Sequence, residues 1–428
     1  MKPLALAIIS LIIFSGCRPA TIGKGDVKPP IADSASQISR NGADTAEPAI
    51  AAAADGVYVA FVEHHPDRSA DLFVQKLDAE LKSVSGQTRV NSTTGEVRSW
   101  FGDPPTIAVS DDGAIYVGWN RKNDKGGGND LMLSVSRDSG ASFGAPVKVN
   151  DDTKPASHGM HSLQLGSDGR VYLAWLDERN VKTNEHAKAE PDARQSAVPG
   201  FYYVATHNNT KNETAEQKHE MTEPNSEVFF AASNDGGNTF SANKRISTDV
   251  CPCCKTSLAL SPEGTLYLSW RQVLDGDLRH IAVASSTDSG KTFSLGVVVS
   301  DDQWHLNACP MSGAGLFAGE KGNLRIFWYT AGDAGQAGVY LAESADGAKT
   351  FGPRKLISGE GSAGSPWIGP NEYIFSVSGG KTSIRSNGKP DAAIDGELPA
   401  VALKNGKPLM TVVRTNGDER SIWLITTH

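Results

Sequence analysis

The sequence predicts an all-β fold, a β-propeller of six four-stranded antiparallel blades closed by an N-terminal strand. One short phrase recurs four times: SRDSGASF at 136–143, SNDGGNTF at 233–240, STDSGKTF at 286–293 and SADGAKTF at 344–351. A hairpin pattern recurs six times, and a Val/Ile plus Asn/Ser pair also recurs six times, once out of order. Repetition at a near-fixed period means one supersecondary unit copied about an axis.

Each phrase reads Ser-x-Asp-x-Gly-x-Thr/Ser-Phe, with the Gly of the fourth copy shifted by one place. Its physics is a closed turn. The Asp carboxylate accepts the following backbone N–H groups, Gly supplies a positive φ, and the aromatic folds back over the loop. The hairpins are AIAAAADGVYVAF (49–61), TIAVSDDGAIYVGW (106–119), SLQLGSDGRVYLAW (162–175), SLALSPEGTLYLSW (257–270), GLFAGEKGNLRIFW (315–328) and AVALKNGKPLMTVV (400–413). Alternation at period two across a Gly turn is a hairpin signal.

The third pattern is a short strand ending in Val90-Asn91, Val149-Asn150, Ile246-Ser247, Val299-Ser300 and Ile357-Ser358. Its sixth copy, Ile38-Ser39, precedes the first hairpin instead of following the last. Such a displaced strand completes the final blade and removes two open sheet edges. Residues 37–428 therefore read as one propeller; the stretch 359–397 is long enough for further strands, so seven blades is the alternative.

The phrase resembles the Asp box of sialidases and related BNR-repeat propellers, with Phe where those families often carry Trp. The resemblance implies the fold, whereas function must be argued from a site. It also implies an activity, exo-sialidase or another exo-glycoside hydrolase. That chemistry needs a cationic clamp on a carboxylate and an acid/base pair. Arg98, Arg179 and Arg271 are candidates for the clamp, Asp103 or Glu178 for acid/base work and Tyr329 for the nucleophile. The Arg-Ile-Pro that opens the family's first blade is absent here, where the chain reads QISRNGADTAEPAIAA.

Residues 1–17 carry Lys2, the apolar run LALAIISLIIF and Ser15-Gly16-Cys17. A basic start, an apolar stretch too short to span a bilayer and a small-residue cut site make a secretory signal. Its end resembles a bacterial lipobox, which implies a lipid anchor on Cys17 and a Pro/Gly/Ala-rich tether at 18–36. The expected location is extracytoplasmic, on the outer membrane facing the periplasm or the cell surface, since Arg18 rather than Asp follows Cys17. With 41 Lys+Arg against 49 Asp+Glu, a net charge of -8 and no basic stripe, nucleic acid is not an expected partner.

Propeller topology turns sequence position into geometry. The Asp boxes and Gly turns share one rim, and the starts of first strands and ends of second strands share the other, the top. After lipidation four cysteines remain, Cys251, Cys253, Cys254 and Cys309, all at top entrances of adjacent blades. Outside the cytoplasm an even number of Cys reads first as disulfides, with Cys251 or Cys253 joined to Cys309. The alternative is a soft metal site for copper, or for zinc if Met is left out. Its ligands would come from His158, His161, Cys251, Cys253, Cys254, His305, Cys309 and Met311. Trp119, Trp175, Trp270 and Trp328 share one hairpin position and read as core, whereas Trp100, Trp304 and Trp367 lie outside that register and either stack on a sugar ring or pack at blade edges.

The polar insertion 180–224 leaves the top of blade 3 as a loop or partial lid. The expected function is a top-mouth site that binds a glycan, another small ligand or a metal. Exo-glycoside hydrolysis and a scaffold for envelope proteins are the alternatives.

Overall fold

The computed structural model describes residues 32–123, 126–181, 225–306, 311–359, 374–378, 381–386 and 389–427. The signal segment with Cys17, residues 182–224 of the insertion, Cys309 and Trp367 lie outside the described residues. Every regular element described is a strand. No helix among the described residues is long and apolar enough to cross a membrane.

Strand β1 (Ala32–Gln37) comes first. Then β2 (Asp44–Ala53), β3 (Gly56–His64), β4 (Ala70–Leu77) and β5 (Thr88–Arg89) form one antiparallel sheet. The next sheet holds β6 (Thr106–Val109), β7 (Ile115–Lys122), β8 (Asn129–Ser136) and β9 (Val147–Lys148). It is followed by β10 (His158–Leu165), β11 (Val171–Asp177), β12 (Ser226–Ser233) and β13 (Lys244–Val250). After these run β14 (Ser257–Leu260), β15 (Leu266–Leu274), β16 (Leu278–Ser286) and β17 (Val297–Val298). A single pair, Val250 with Gln272, joins these last two sheets.

Next come β18 (Ala314–Ala318), β19 (Leu324–Thr330), β20 (Gly338–Ser344) and β21 (Lys355–Ser358). The stretch the sequence left open contains a three-stranded meander of β22 (Ile374–Ser378), β23 (Lys381–Ser386) and β24 (Lys389–Asp395). The last sheet is β25 (Glu397–Lys404), β26 (Lys407–Asn416) and β27 (Glu419–Thr427), with β1 as its fourth strand. First strands touch in the order β22, β25, β2, β6, β10, β14, β18, which is how propeller blades surround an axis.

The displaced copy of the third pattern behaves as its homologues do. Val90, Val149 and Val299 donate their amides to Leu72, Leu131 and Ile281, and Ile38 donates to Ile422. Asn91 and Asn150 accept the amides of Leu72 and Leu131 through their side chains, and Ser39 accepts that of Ile422. The closing strand starts earlier than the sequence suggested, within the stretch read as tether. ADSASQ lacks apolar alternation, so its strand character comes from pairing with β27, Ser34 opposite Thr426 and Gln37 opposite Trp423.

All four Asp boxes close identically. Asp138, Asp235, Asp288 and Asp346 each accept the serine hydroxyl two residues before, and both the amide and the hydroxyl four residues after. Those bonds, made to the charged form, hold Asp138, Asp235 and Asp346 down at about 2. The Phe residues that end the boxes pack on the cores between sheets. Trp119, Trp175, Trp270 and Trp328 are core, at 2 % exposure or less.

Candidate functional site at the mouth of the ring

The boxes follow the third strand of their sheets, so the ends of β11 and β15 and the starts of β10 and β14 lie on the opposite rim. That rim carries most of the residues singled out by sequence.

Residues 98–105, RSWFGDPP, lead into β6. The Arg98 amide donates to Asn120 and the Asp103 amide to Trp100, which fixes the loop against β7. Gly102 is required because a Cβ there would sit 2.3 Å from the Trp100 ring. The loop sets Trp100 and Phe101 edge to face at 5.0 Å, with Phe101 36 % exposed. Arg98 is exposed, and its guanidinium donates to the Gly128 carbonyl at 3.3 Å.

Beneath this aromatic pair is a buried polar group. Asp103 takes a hydrogen bond from the Asn120 amide, and its other oxygen lies 3.5 Å from His161 Nδ1. Gly159 leaves that space open, since a Cβ there would meet Asp103 at 2.6 Å. Burial would raise the Asp103 carboxyl, but His161 and Lys255 outweigh it and hold it below the usual range. Lys255 donates to the Pro104 carbonyl at 2.8 Å. Burial brings its ammonium down to about 8, with the Asp103 charge opposing. His161 is fully buried on the face of Gly118, and among the described residues neither ring nitrogen has a hydrogen-bond partner. Arg98, Ser99, Asp103, Pro105, Trp119 and Asn120 close around a space too small for a ligand, so any substrate would meet the aromatic surface above.

The three candidate arginines do not share one environment. Arg179 forms a fork with Asp177, donates to Asp151 and Asn243 and lies over the Phe229 ring at 4.3 Å. Arg271 is fully buried, donates to the carbonyls of Ser312 and Tyr329 and lies 5.0 Å from the Trp304 ring centroid. Of the three, Arg98 is exposed, Arg179 is half-buried in its ion pairs and Arg271 is fully buried. Glu178 holds the rim through its backbone, donating to Ser157. Tyr329 packs edge to face on Trp304, and burial pushes its phenol up, the reverse of an activated nucleophile. Trp304 is buried in that packing, not free to stack on a sugar.

The candidate metal ligands also separate. His158 donates from Nδ1 to the Asn129 carbonyl and turns Nε2 toward Asp152 at 3.1 Å and Asp177 at 3.5 Å, an anchor between sheets. His305 uses Nδ1 on the Gly276 carbonyl. The sulfurs of Cys251, Cys253 and Cys254 lie within 4.8 Å of one another, and among the described residues no imidazole joins them. Met311 packs against the larger apolar core in which these cysteines lie. Cys251 and Cys254 are free thiols, and Cys253 is disulfide-bonded. Of the two thiols Cys254 is the more acidic: burial opposes ionisation, but a hydrogen bond from Cys251 and the charge of Arg271 outweigh it. Sequence reasoning missed Asn120 and Lys255, which bear no motif and join the site only through the closeness of β7 and β14 to the 98–105 loop.

No protein-family model and no curated protein matches the chain. Among solved structures, the polysaccharide lyase Uly1 is similar with a TM-score of 0.53 at 12% identity, over 89% of this chain and 89% of that one. A Dyadobacter fermentans DSM 18053 protein of unknown function gives 0.48 at 13% identity, over 92% of this chain and 98% of that one. The NanB sialidase of Streptococcus pneumoniae gives 0.44 at 13% identity, over 87% of this chain and 84% of that one. At these identities the likeness to Uly1 is one of fold, an all-β propeller of four-stranded antiparallel sheets.

Proposed function

We propose that this chain is a lipid-anchored extracytoplasmic propeller that binds an acidic glycan at the top mouth of the ring. The carrying observation is the loop 98–105, where the exposed cation Arg98 stands beside the Trp100–Phe101 pair. A sugar ring stacks on such an aromatic edge while its carboxylate or sulfate meets the Arg98 guanidinium. The fold neighbour Uly1 is a polysaccharide lyase, which agrees with a glycan ligand without specifying one.

Isothermal titration of acidic and neutral oligosaccharides tests this reading. Acidic glycans should bind, and Arg98→Ala and Trp100→Ala should each weaken binding about tenfold or more. Equal binding of neutral sugars, or no loss in either variant, would sink the proposal. A protein-scaffold role would then be the one left.

Cleavage of the bound glycan is the second reading, favoured by the Asp103–His161 pair with Lys255 beside it. A carboxylate and an imidazole at 3.5 Å make a proton relay once a ligand opens the site. A panel of aryl glycosides and acidic polysaccharides should show turnover that Asp103→Asn abolishes. Localisation is read by labelling with a fatty-acid analogue, which Cys17→Ala should prevent.

A further inference from the structure

We infer that Cys251 and Cys254 form a site for a soft monovalent cation, Cu(I), between β13 and β14, with Arg271 supplying the balancing charge. The two thiols stand at C-x-x-C spacing with sulfurs within 4.8 Å of each other, a gap that one ion shared by two thiolates closes with small side-chain rotations. Both residues are 0% exposed, so water does not compete as a ligand. Met311 packs against the larger apolar core in which both cysteines lie. Thiolate and thioether sulfur select Cu(I) over hard cations.

Charge decides between ions. Arg271 is 0% exposed, its Nε and Nη2 are taken by backbone carbonyls, and among the described residues its Nη1 has no hydrogen-bond partner. A buried guanidinium requires a counter-charge, and the neighbouring Cys254 sulfur is placed to supply it as a thiolate. Two thiolates with a monovalent cation carry one net negative charge, which Arg271 cancels. Two thiolates with Zn(II) sum to zero and leave Arg271 uncompensated. Cys253 is excluded as a ligand because its sulfur is already in a disulfide.

The test is a competition titration of the full chain, purified without oxygen and with its disulfide intact, using Cu(I) and the chelator bicinchoninate. One Cu(I) per chain should be withheld from the chelator, X-ray absorption should give a shell of sulfur alone, and Zn(II) should not displace the ion. Cys251→Ser and Cys254→Ser should each abolish retention. Arg271→Gln should keep the stoichiometry and weaken the site about 10- to 100-fold. Release of all Cu(I) by the wild type, a nitrogen or oxygen shell, or equal affinity for Zn(II) overturns the inference. Should a cysteine variant lose its far-UV circular dichroism, the wild-type titration and its absorption edge decide alone.

Discussion

The Ile38 amide donates to the Ile422 carbonyl at 2.8 Å, and the Ile422 amide returns a bond to the Ser39 hydroxyl oxygen at 3.0 Å. This exchange ties the start of the described chain to its last strand, and Ile38, 6 % exposed, fills the core shared by the sheets of β2 and β27. Ile38→Ala should cost about 2–3 kcal/mol in urea unfolding. Removing residues up to 39 should bare the edge of β27 and produce aggregation visible by light scattering. A truncated protein that stays monomeric at wild-type stability would show that the closure is dispensable.

Ala348 has φ +66 at the place where the other boxes hold Gly140, Gly237 or Gly290. A Cβ in the left-handed region is strained, at about 1–2 kcal/mol per residue. Ala348→Gly should raise stability by about 0.5–1 kcal/mol. Gly290→Ala should lower it by more, because its Cβ would lie 2.4 Å from the Phe230 ring. Chemical denaturation of both variants measures the pair, and a destabilised Ala348→Gly would contradict the argument.

Acid should loosen the boxes over a defined window. The carboxyls of Asp138, Asp235 and Asp346 lie at about 2 in the folded chain, below the ordinary value of 3.8. A depressed folded value contributes stability that is present above pH about 4 and lost as pH falls toward 2, because the unfolded chain takes up protons first. Unfolding free energy should therefore climb with pH between about 2 and 4. Carbon-detected NMR should find these three carboxyls titrating near pH 2; ordinary midpoints near 4 would refute the box electrostatics.

Arg179 is engaged by Asp177, Asp151 and Asn243, so its loss should appear in stability rather than in ligand affinity. Arg179→Ala leaves the fully buried Asp177 carboxylate without its guanidinium, beside the Trp175 indole, the amide of residue 179 and His158. The expected cost is about 3 kcal/mol. Thermal unfolding and glycan titration of the same sample separate the two effects, and a stable variant with abolished binding would return Arg179 to the ligand clamp.

The boxes, the hairpins, the tryptophans and the displaced Ile38-Ser39 were legible as residues because each arises from local chemistry repeated in register. A turn that needs Asp, Gly and Phe at set offsets writes itself into the chain, and so does a strand whose one face is buried. The three-stranded meander of β22 to β24 was legible only as surplus length, and β1 only by its flanking Ile-Ser pair, since ADSASQ acquires strand form from its neighbour.

The sequence by itself determined the all-β repeat, the rim that gathers the unusual side chains and the identity of those side chains. Tertiary structure decided which of them meet: Arg179 and Arg271 turned inward, Arg98 outward, His161 toward Asp103 and the sulfurs toward one another, with no imidazole among the described residues beside them. The physical reason is that a strand end places a residue on a rim, whereas the partner of its charge is set by side-chain packing between sheets that lie far apart along the chain.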